Sequence, residues 1–167
     1  MRLVPFRDKD ADTVISWIKD ERAFRLWSAD TYKNYPATAS DINARYKEIT
    51  ENHKGKVYPF MAVEGDIPVG HLIMRIIEED PCTVRFGYII VDSEIRGKGY
   101  GKRMLRLALD YAKSTLGAEK ITLGVFEQNS SAYHCYKSVG FAECGETECH
   151  ILDENWRCIE MENSDCI

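Results

Sequence analysis

The spacing of apolar residues changes near residue 57 from a helical period to an alternating one. Before this point, residues 1–6 form a short predicted strand, and apolar side chains recur at helical spacing over 8–20. A second short helix over 21–28 precedes a predicted loop over 29–38. Ser40 or Asp41 can cap a third helix that runs to about residue 52.

After residue 57 the pattern alternates and predicts strands joined by short turns. The first three strands are predicted over 57–64, 69–79 and 83–92, and their short connections favour antiparallel pairing. A helix over 102–116 with one apolar and one basic side follows, and Gly117 ends it. The remaining elements are a strand over 120–127, a helix over 130–139 and two closing strands near 141–151 and 156–161.

The strand, helix and strand between residues 83 and 127 form a crossover unit. Such a connection is right-handed and makes its two strands parallel, whereas the hairpins are antiparallel. The sequence therefore predicts an α/β (α+β) fold with a mixed, mostly antiparallel sheet of about seven strands and about four flanking helices. The 167 residues suit one domain over 1–167, because a chain of this length can bury a sizeable core.

The composition excludes several classes of function. A net charge of −5 argues against a general nucleic-acid binder, which needs excess Lys and Arg. The sequence contains no apolar stretch long enough for a signal peptide or a membrane span, which predicts a cytoplasmic protein without membrane partners. The six cysteines form no CxxC pair and are expected to be reduced. Zinc binding by Cys144, Cys149 and His150 would need a spacing that no usual zinc finger has, so no metal is expected.

A glycine-rich turn, RGKGYG, lies between the strand over 83–92 and the basic helix. Glycines allow positive φ, and the following helix N-terminus presents free N–H groups, so the turn is suited to an anion. Five basic residues and no acidic one lie between Arg96 and Arg106. The GxGxG spacing fits neither a dinucleotide-binding GxGxxG turn nor a P-loop.

RGKGYG matches the R/Q-x-x-G-x-G/A pyrophosphate motif of the GCN5-related N-acetyltransferase (GNAT) superfamily. Downstream, NSSAYHCYKSVGF resembles the N-x-x-A-x-x-x-Y-x-x-x-G-F segment of that family. The resemblance covers residues 57–163 and is nearest to the branch with ribosomal-protein N-terminal and aminoglycoside acetyltransferases. It implies an acetyl-CoA-dependent N-acetyltransferase whose parallel strand pair splays apart at the cofactor site.

The resemblance also implies roles for particular residues. The pantetheine arm of acetyl-CoA should bind the backbone of Ile89, Ile90 and Val91, and Asn129 should contact the same arm. The residues expected at the pyrophosphate are Arg96, Gly97, Lys98, Gly99, Tyr100, Gly101 and Lys102. Tyr136 stands where many members carry the general acid that protonates the coenzyme A thiolate, and Tyr133 is a weaker candidate for this role.

A general base is not evident in the sequence. At two positions where some members carry an acid, this chain has Arg85 and Gly124, so proton removal through water is expected. His71 on a strand is interpreted as core or surface, and Cys135 has no evident partner base that would make it a nucleophile. The missing acids leave an alternative open, a non-catalytic domain that binds or senses acyl-CoA.

The acceptor is expected to be a primary amine, either on an aminoglycoside or polyamine or at a protein N-terminus. The negative net charge favours a cationic acceptor. Trp27, Tyr32 and Tyr35 can form a wall of the acceptor site or can simply pack at the edge of the core. The sequence does not decide between a monomer and a homodimer.

Overall fold

Seven strands form one mixed sheet in the computed structural model, which describes residues 1–164. The strands are β1 (Arg2–Pro5), β2 (Val57–Glu64), β3 (Ile67–Ile76), β4 (Thr83–Val91), β5 (Lys120–Phe126), β6 (Ala142–Ile151) and β7 (Glu154–Ser164). The helices are α1 (Ala11–Ser16), α2 (Glu21–Ser28), α3 (Ala39–Asn52), α4 (Tyr100–Ser114) and α5 (Ser130–Lys137). Short 3₁₀ turns occupy Asp8–Asp10 and Ser93–Ile95.

The strand order across the sheet is β1-β2-β3-β4-β5-β7-β6. Only β4 and β5 pair in parallel, and the other neighbouring strands are antiparallel. The predicted mixed sheet of seven strands is therefore confirmed. In the described residues five α-helices flank it, one more than the four expected.

The predicted helix over 8–20 is wrong in its length. The segment instead forms a 3₁₀ turn followed by α1, which ends at Ser16. Asp20 has extended backbone angles, and its carboxylate accepts a hydrogen bond from the Ala23 backbone at 2.7 Å. Because an N-cap residue lies outside the helical region, Asp20 separates α2 from the helix before it.

The two faces of the sheet carry separate cores. Helices α4 and α5 cover one face, where Ile121, Leu123 and Val125 of β5 are buried among core residues such as Met104 and Leu105. Helices α1, α2 and α3 pack on the other face. Successive side chains of a strand point to opposite faces, so the even-numbered residues of β5 face the second side.

A third apolar cluster joins the β6–β7 hairpin to α2. Phe126, Ile151, Trp156 and Cys158 are its buried members, and Leu26 of α2 packs against them. This contact brings α2 to the carboxyl end of β5.

Strands β4 and β5 separate soon after they begin. Their pairing joins only Thr83–Arg85 to Lys120–Thr122, whereas β5 remains paired with β7 as far as Phe126. On the other side β4 stays paired with β3 as far as Val91, with a register shift between His71 and Ile73. The second half of β4 thus has an edge facing β5 that no described strand covers.

Candidate active site

The separation of β4 from β5 coincides with a strained residue. Tyr88 has a φ of 51°, a left-handed value that residues other than glycine rarely adopt. Its carbonyl accepts a hydrogen bond from Trp27 Nε1 at 3.0 Å, and its hydroxyl donates to Thr31 Oγ1 at 3.2 Å. Such strain persists only where surrounding contacts impose it, and it is concentrated at functional sites.

The register shift between β3 and β4 makes β4 bulge at Tyr88. Beyond this bulge lies a cavity of about 480 Å³, here named the main cavity. Its walls come from α2, the end of β4, the glycine turn, α4 and α5. Of the eleven residues expected to bind the cofactor, all but Lys98 line it: Ile89, Ile90, Val91, Arg96, Gly97, Gly99, Tyr100, Gly101, Lys102 and Asn129. The structure therefore brings two distant sequence motifs to one cavity.

The glycine turn has the backbone conformation that its sequence predicts. Gly97 and Gly99 have φ values of 78° and 82°, and Gly99 is the N-cap of α4. A Cβ atom built on either glycine would meet nothing within 4 Å. The first turn of α4 contains no acidic residue, so its free N–H groups and the helix dipole favour an anion. The helix begins at Tyr100, two residues earlier than predicted.

Asn129 caps α5 and also lines the main cavity. Its Oδ1 atom accepts a hydrogen bond from the Ala132 backbone at 3.3 Å. The side-chain oxygen is thus used within the fold, and the amide nitrogen remains as the group that can donate to a ligand.

Tyr136 lies at the inner wall of the main cavity. Its side chain packs at an angle against Phe141, with the ring centroids 6.2 Å apart. Burial raises the pKa of Tyr136 well above its usual range, so the hydroxyl is protonated at neutral pH. Within residues 1–164 the hydroxyl has no protein hydrogen-bond partner, which leaves its proton available to a molecule in the cavity.

The neighbours of Tyr136 are less suited to the same chemistry. The Tyr133 hydroxyl already donates to Glu143, and Tyr133 does not line the main cavity. Cys135 does line it, but burial raises the pKa of its thiol, which opposes formation of a nucleophilic thiolate.

Of the three aromatic residues expected at the acceptor wall, Trp27 alone lines the main cavity. Tyr32 is 7% exposed and stacks on Trp27, and Tyr35 packs against Phe24 with ring centroids 5.4 Å apart. The buried Arg25 of α2 donates to the Tyr32 carbonyl at 2.6 Å and so holds the loop after α2 against this helix. Tyr32 and Tyr35 thus pack against aromatic residues outside the main cavity, and a role for them at the acceptor site stays a prediction.

The two positions without the acid found in some relatives lie side by side. Arg85 binds Glu160 of β7 through two hydrogen bonds of 2.8 and 3.1 Å. A Cβ atom on Gly124 would approach Cys158 Sγ to 2.9 Å and Arg85 Nη2 to 3.1 Å. The Arg85–Glu160 ion pair thus occupies the space into which a side chain at position 124 would project.

His71 is a core residue. It is fully buried, and its Nδ1 atom lies 2.8 Å from the Phe60 carbonyl, to which it must donate. Nε2 then accepts from the Tyr46 hydroxyl at 2.7 Å, and burial lowers the pKa of the imidazole to about 3. Nothing in the sequence around His71 indicates this pairing with a helix 25 residues away.

The described residues contain no group of three or more His, Cys, Asp or Glu side chains that could hold a metal ion. Cys144 is exposed, Cys149 is half-buried and His150 is 2.9 Å from Asn155, so these three side chains do not form a zinc cluster. The five cysteines before residue 165 are free thiols, and Cys166 lies outside the described residues. None of the helices in residues 1–164 has the length and apolar character needed to cross a membrane.

Comparison with known proteins identifies the family. Residues 20–141 match the model of the Acetyltransferase (GNAT) family, and the chain belongs to this family. This confirms the resemblance that the two motifs carried.

Among curated relatives, the spermidine N(1)-acetyltransferase of Vibrio cholerae is 38% identical over 66 residues, which are 40% of this chain and 36% of that protein. The N-acetylaspartate synthetase of Danio rerio is 31% identical over 113 residues, 68% of this chain and 38% of that protein. The chain spans 36% to 61% of the length of the first curated relatives it matches. The crystal structure of spermidine N-acetyltransferase from Vibrio cholerae with CoA and spermine has the same fold, with a TM-score of 0.79 and 21% identity over 97% of this chain and 94% of that one.

Proposed function

We propose that this protein is an acetyl-CoA-dependent N-acetyltransferase that acetylates a primary amine. The observation that carries the proposal is the uncovered end of β4, which leads from the bulge at Tyr88 to the glycine turn along one wall of the main cavity. An exposed strand edge followed by an anion-binding turn suits a ligand that has an amide-containing arm and a pyrophosphate. The open space at Gly97 and Gly99 fits the same ligand.

Different residues of the main cavity would bind different parts of acetyl-CoA. Free N–H groups from Gly99 to Lys102 would hold the pyrophosphate, with Arg96 and Lys102 adding positive charge. The backbone of Ile89 to Val91 would pair with the pantetheine arm as an added strand does, and the Asn129 amide would donate to that arm. When bound, acetyl-CoA supplies a thioester that an amine can attack directly.

Two proton movements accompany the transfer. An alkyl amine with a pKa near 10.4 must lose a proton, and presenting it neutral at pH 7 costs about 4 to 5 kcal/mol at ~1.36 kcal/mol per unit. We assign this deprotonation to water, because positions 85 and 124 carry no acid. Tyr136 would give its proton to the sulfur of the leaving group, since its hydroxyl is protonated and has no partner among residues 1–164.

The second candidate function is a domain that binds or senses acyl-CoA without turnover. The Arg85–Glu160 pair favours it, because this pair fills the place where some relatives carry an acid. The protonated Tyr136 hydroxyl at the cavity wall favours the enzyme. Relatives named for spermidine acetylation support an amine acceptor of some kind, and a peptide N-terminus is the other class to test.

A calorimetric titration with acetyl-CoA, followed by an assay of thiol release with a panel of amines, tests the proposal. We expect saturable 1:1 binding of acetyl-CoA and amine-dependent release of coenzyme A. Binding with no release across polyamines, aminoglycosides and short peptides would favour the sensing domain. Absence of acetyl-CoA binding would contradict both functions.

A further inference from the structure

A second cavity of about 200 Å³ lies on the face of the sheet that α3 covers, between α3 and strands β2, β3 and β4. Three arginines line it, Arg45, Arg75 and Arg85, together with the apolar side chains of Ile49, Val57 and Ile73. No acidic residue in the described chain is among its lining residues. We name it the arginine cavity.

The placement of two of these arginines is electrostatically unfavourable. Arg75 and Arg85 are directly opposite each other in the antiparallel pairing of β3 and β4. Directly opposed residues of such a pair have Cβ atoms about 5 Å apart, and like charges at this separation destabilise the sheet. Glu160 offsets the charge of Arg85, and an anion bound beside Arg75 would remove the remaining repulsion.

The partners of the arginines leave positive charge unbalanced. Arg85 is paired with Glu160, and Arg45 Nη1 contacts Glu48 at 2.9 Å. Arg75 Nη1 instead donates to His53 Nε2 at 3.2 Å, and a ring nitrogen that accepts a hydrogen bond carries no proton. In the described part of the chain no carboxylate lies within salt-bridge distance of Arg75.

One donor in this region also lacks a partner. The Nε atom of Arg45 is buried and forms no hydrogen bond to any described residue. Buried donors are normally satisfied, and an unsatisfied one indicates a missing partner. A carboxylate can accept two parallel hydrogen bonds from the forked donors of a guanidinium group.

The arginine cavity lies close to the proposed reaction centre. Its wall includes Gly87 and Tyr88, and the wall of the main cavity begins at Ile89. At about 3.3 Å per residue, Gly87 is about 7 Å and Arg85 about 13 Å along β4 from Ile89. An acceptor that spans this length could place an anionic group among the arginines and its amine at the thioester.

We propose that the arginine cavity binds a carboxylate of the acceptor, so that the preferred substrates are amines that also carry an acidic group at about dipeptide distance. This inference rests on the proposed function and names its acceptor class. The net charge favoured a cationic acceptor, whereas the arginine cavity favours an acidic one. We follow the cavity, because recognition depends on the charges in contact with the ligand. The apolar walls strengthen the interaction by excluding water.

Two probes with the same amine test the carboxylate requirement. L-alanyl-L-glutamate and L-alanyl-L-glutaminamide differ in charge but little in shape. Titration calorimetry on the wild-type protein should give at least 10-fold tighter binding of the acidic dipeptide, and kcat/KM for acetylation should favour it by a similar factor. Spermidine should be a poorer acceptor than the acidic dipeptide.

The variant Arg75→Gln should reduce the preference for the acidic dipeptide to near one, and Arg75→Lys should restore part of it. Arg2→Gln is the matched control, because Arg2 is an exposed strand arginine paired with Asp66. It should retain the wild-type preference. Thermal unfolding of all three variants shows whether a loss arises from the fold.

Equal affinity for the acid and the amide would overturn the inference, and the proposed function would still stand if either dipeptide were acetylated. Absence of acetyl-CoA binding would instead contradict the proposed function, while the dipeptide affinities still decide the inference. A decapeptide that begins with Ala-Glu distinguishes the source of the carboxylate. Weaker binding than the dipeptide indicates a small molecule, and equal or tighter binding indicates a protein N-terminus.

Discussion

At the scale of single residues, we propose that the Tyr136 hydroxyl protonates the leaving thiolate. The hydroxyl is protonated and has no partner among the described residues, so its removal should affect the chemical step and not the binding of acetyl-CoA. We expect Tyr136→Phe to lower kcat by about 10²-fold, a typical loss for a general acid. Steady-state kinetics with saturating acetyl-CoA, together with a calorimetric affinity, measure both quantities.

Tyr133→Phe is the control for this experiment. It removes a hydroxyl one helical turn away that donates to Glu143 and does not reach the main cavity. This variant should retain the wild-type kcat. Wild-type turnover in Tyr136→Phe would exclude Tyr136 from the mechanism, and a loss in Tyr133→Phe alone would transfer the role to Tyr133.

Single residues differ in how far the sequence reveals them. The positive φ of Gly97 and Gly99 and the position of Tyr136 beside the main cavity could be predicted, because each residue belongs to a recognisable sequence motif. The positive φ of Tyr88 could not, because it depends on a hydrogen bond from Trp27, 61 residues away. The role of Trp27 was missed for the same reason, although its contact with a cavity was expected.

At the scale of the element, the turn that precedes α4 should tolerate no side chain at Gly99. Gly99 lines the main cavity, and a Cβ atom built on it would meet no protein atom within 4 Å, so we expect it to take up space that the pyrophosphate would need. We expect Gly99→Ala to weaken acetyl-CoA binding at least 10-fold in a calorimetric titration. The left-handed backbone at this position should also cost about 1 to 2 kcal/mol of stability.

Gly117→Ala separates the two effects. Gly117 follows α4 and has a φ of 71°, and a Cβ atom added there would also meet nothing within 4 Å, but this glycine does not line the main cavity. The variant should lose similar stability in urea unfolding and retain its affinity for acetyl-CoA. Equal loss of affinity in both variants would show that backbone strain, and not contact with the proposed pyrophosphate site, explains the Gly99 result.

The helices and strands could be predicted where one spacing of apolar residues extended over the whole segment. Strands β2 to β5 follow an alternating or continuous apolar pattern, and their parallel and antiparallel pairing followed from the lengths of the connections. The helix over 8–20 was predicted too long, because apolar spacing continues past Ser16 although the backbone leaves the helix. The arginine cavity draws on α3, β2, β3 and β4, so only the assembled sheet brings its side chains together.

At the scale of the whole molecule, the neutral His71 joins the sheet to α3. Its two ring nitrogens are engaged by Phe60 of β2 and Tyr46 of α3, and the ring of Phe6 lies 5.2 Å away. Protonation would place a charge in this fully buried site and would turn the acceptor Nε2 into a donor facing a hydroxyl. Burial therefore strongly favours the neutral imidazole in the folded protein.

This arrangement predicts a loss of stability in mild acid. The pKa of His71 is about 3 in the folded protein and near 6.5 in the unfolded chain, so the unfolded state binds the extra proton between these values and stability falls as the pH falls. From pH 7 to pH 5 this contribution is on the order of 2 kcal/mol.

Urea unfolding at several pH values should show this slope in the wild-type protein and a flatter one in His71→Gln, which cannot titrate. His150→Gln, an exposed control, should retain the wild-type slope. Equal slopes in wild type and His71→Gln would mean that other groups control the acid sensitivity of the fold.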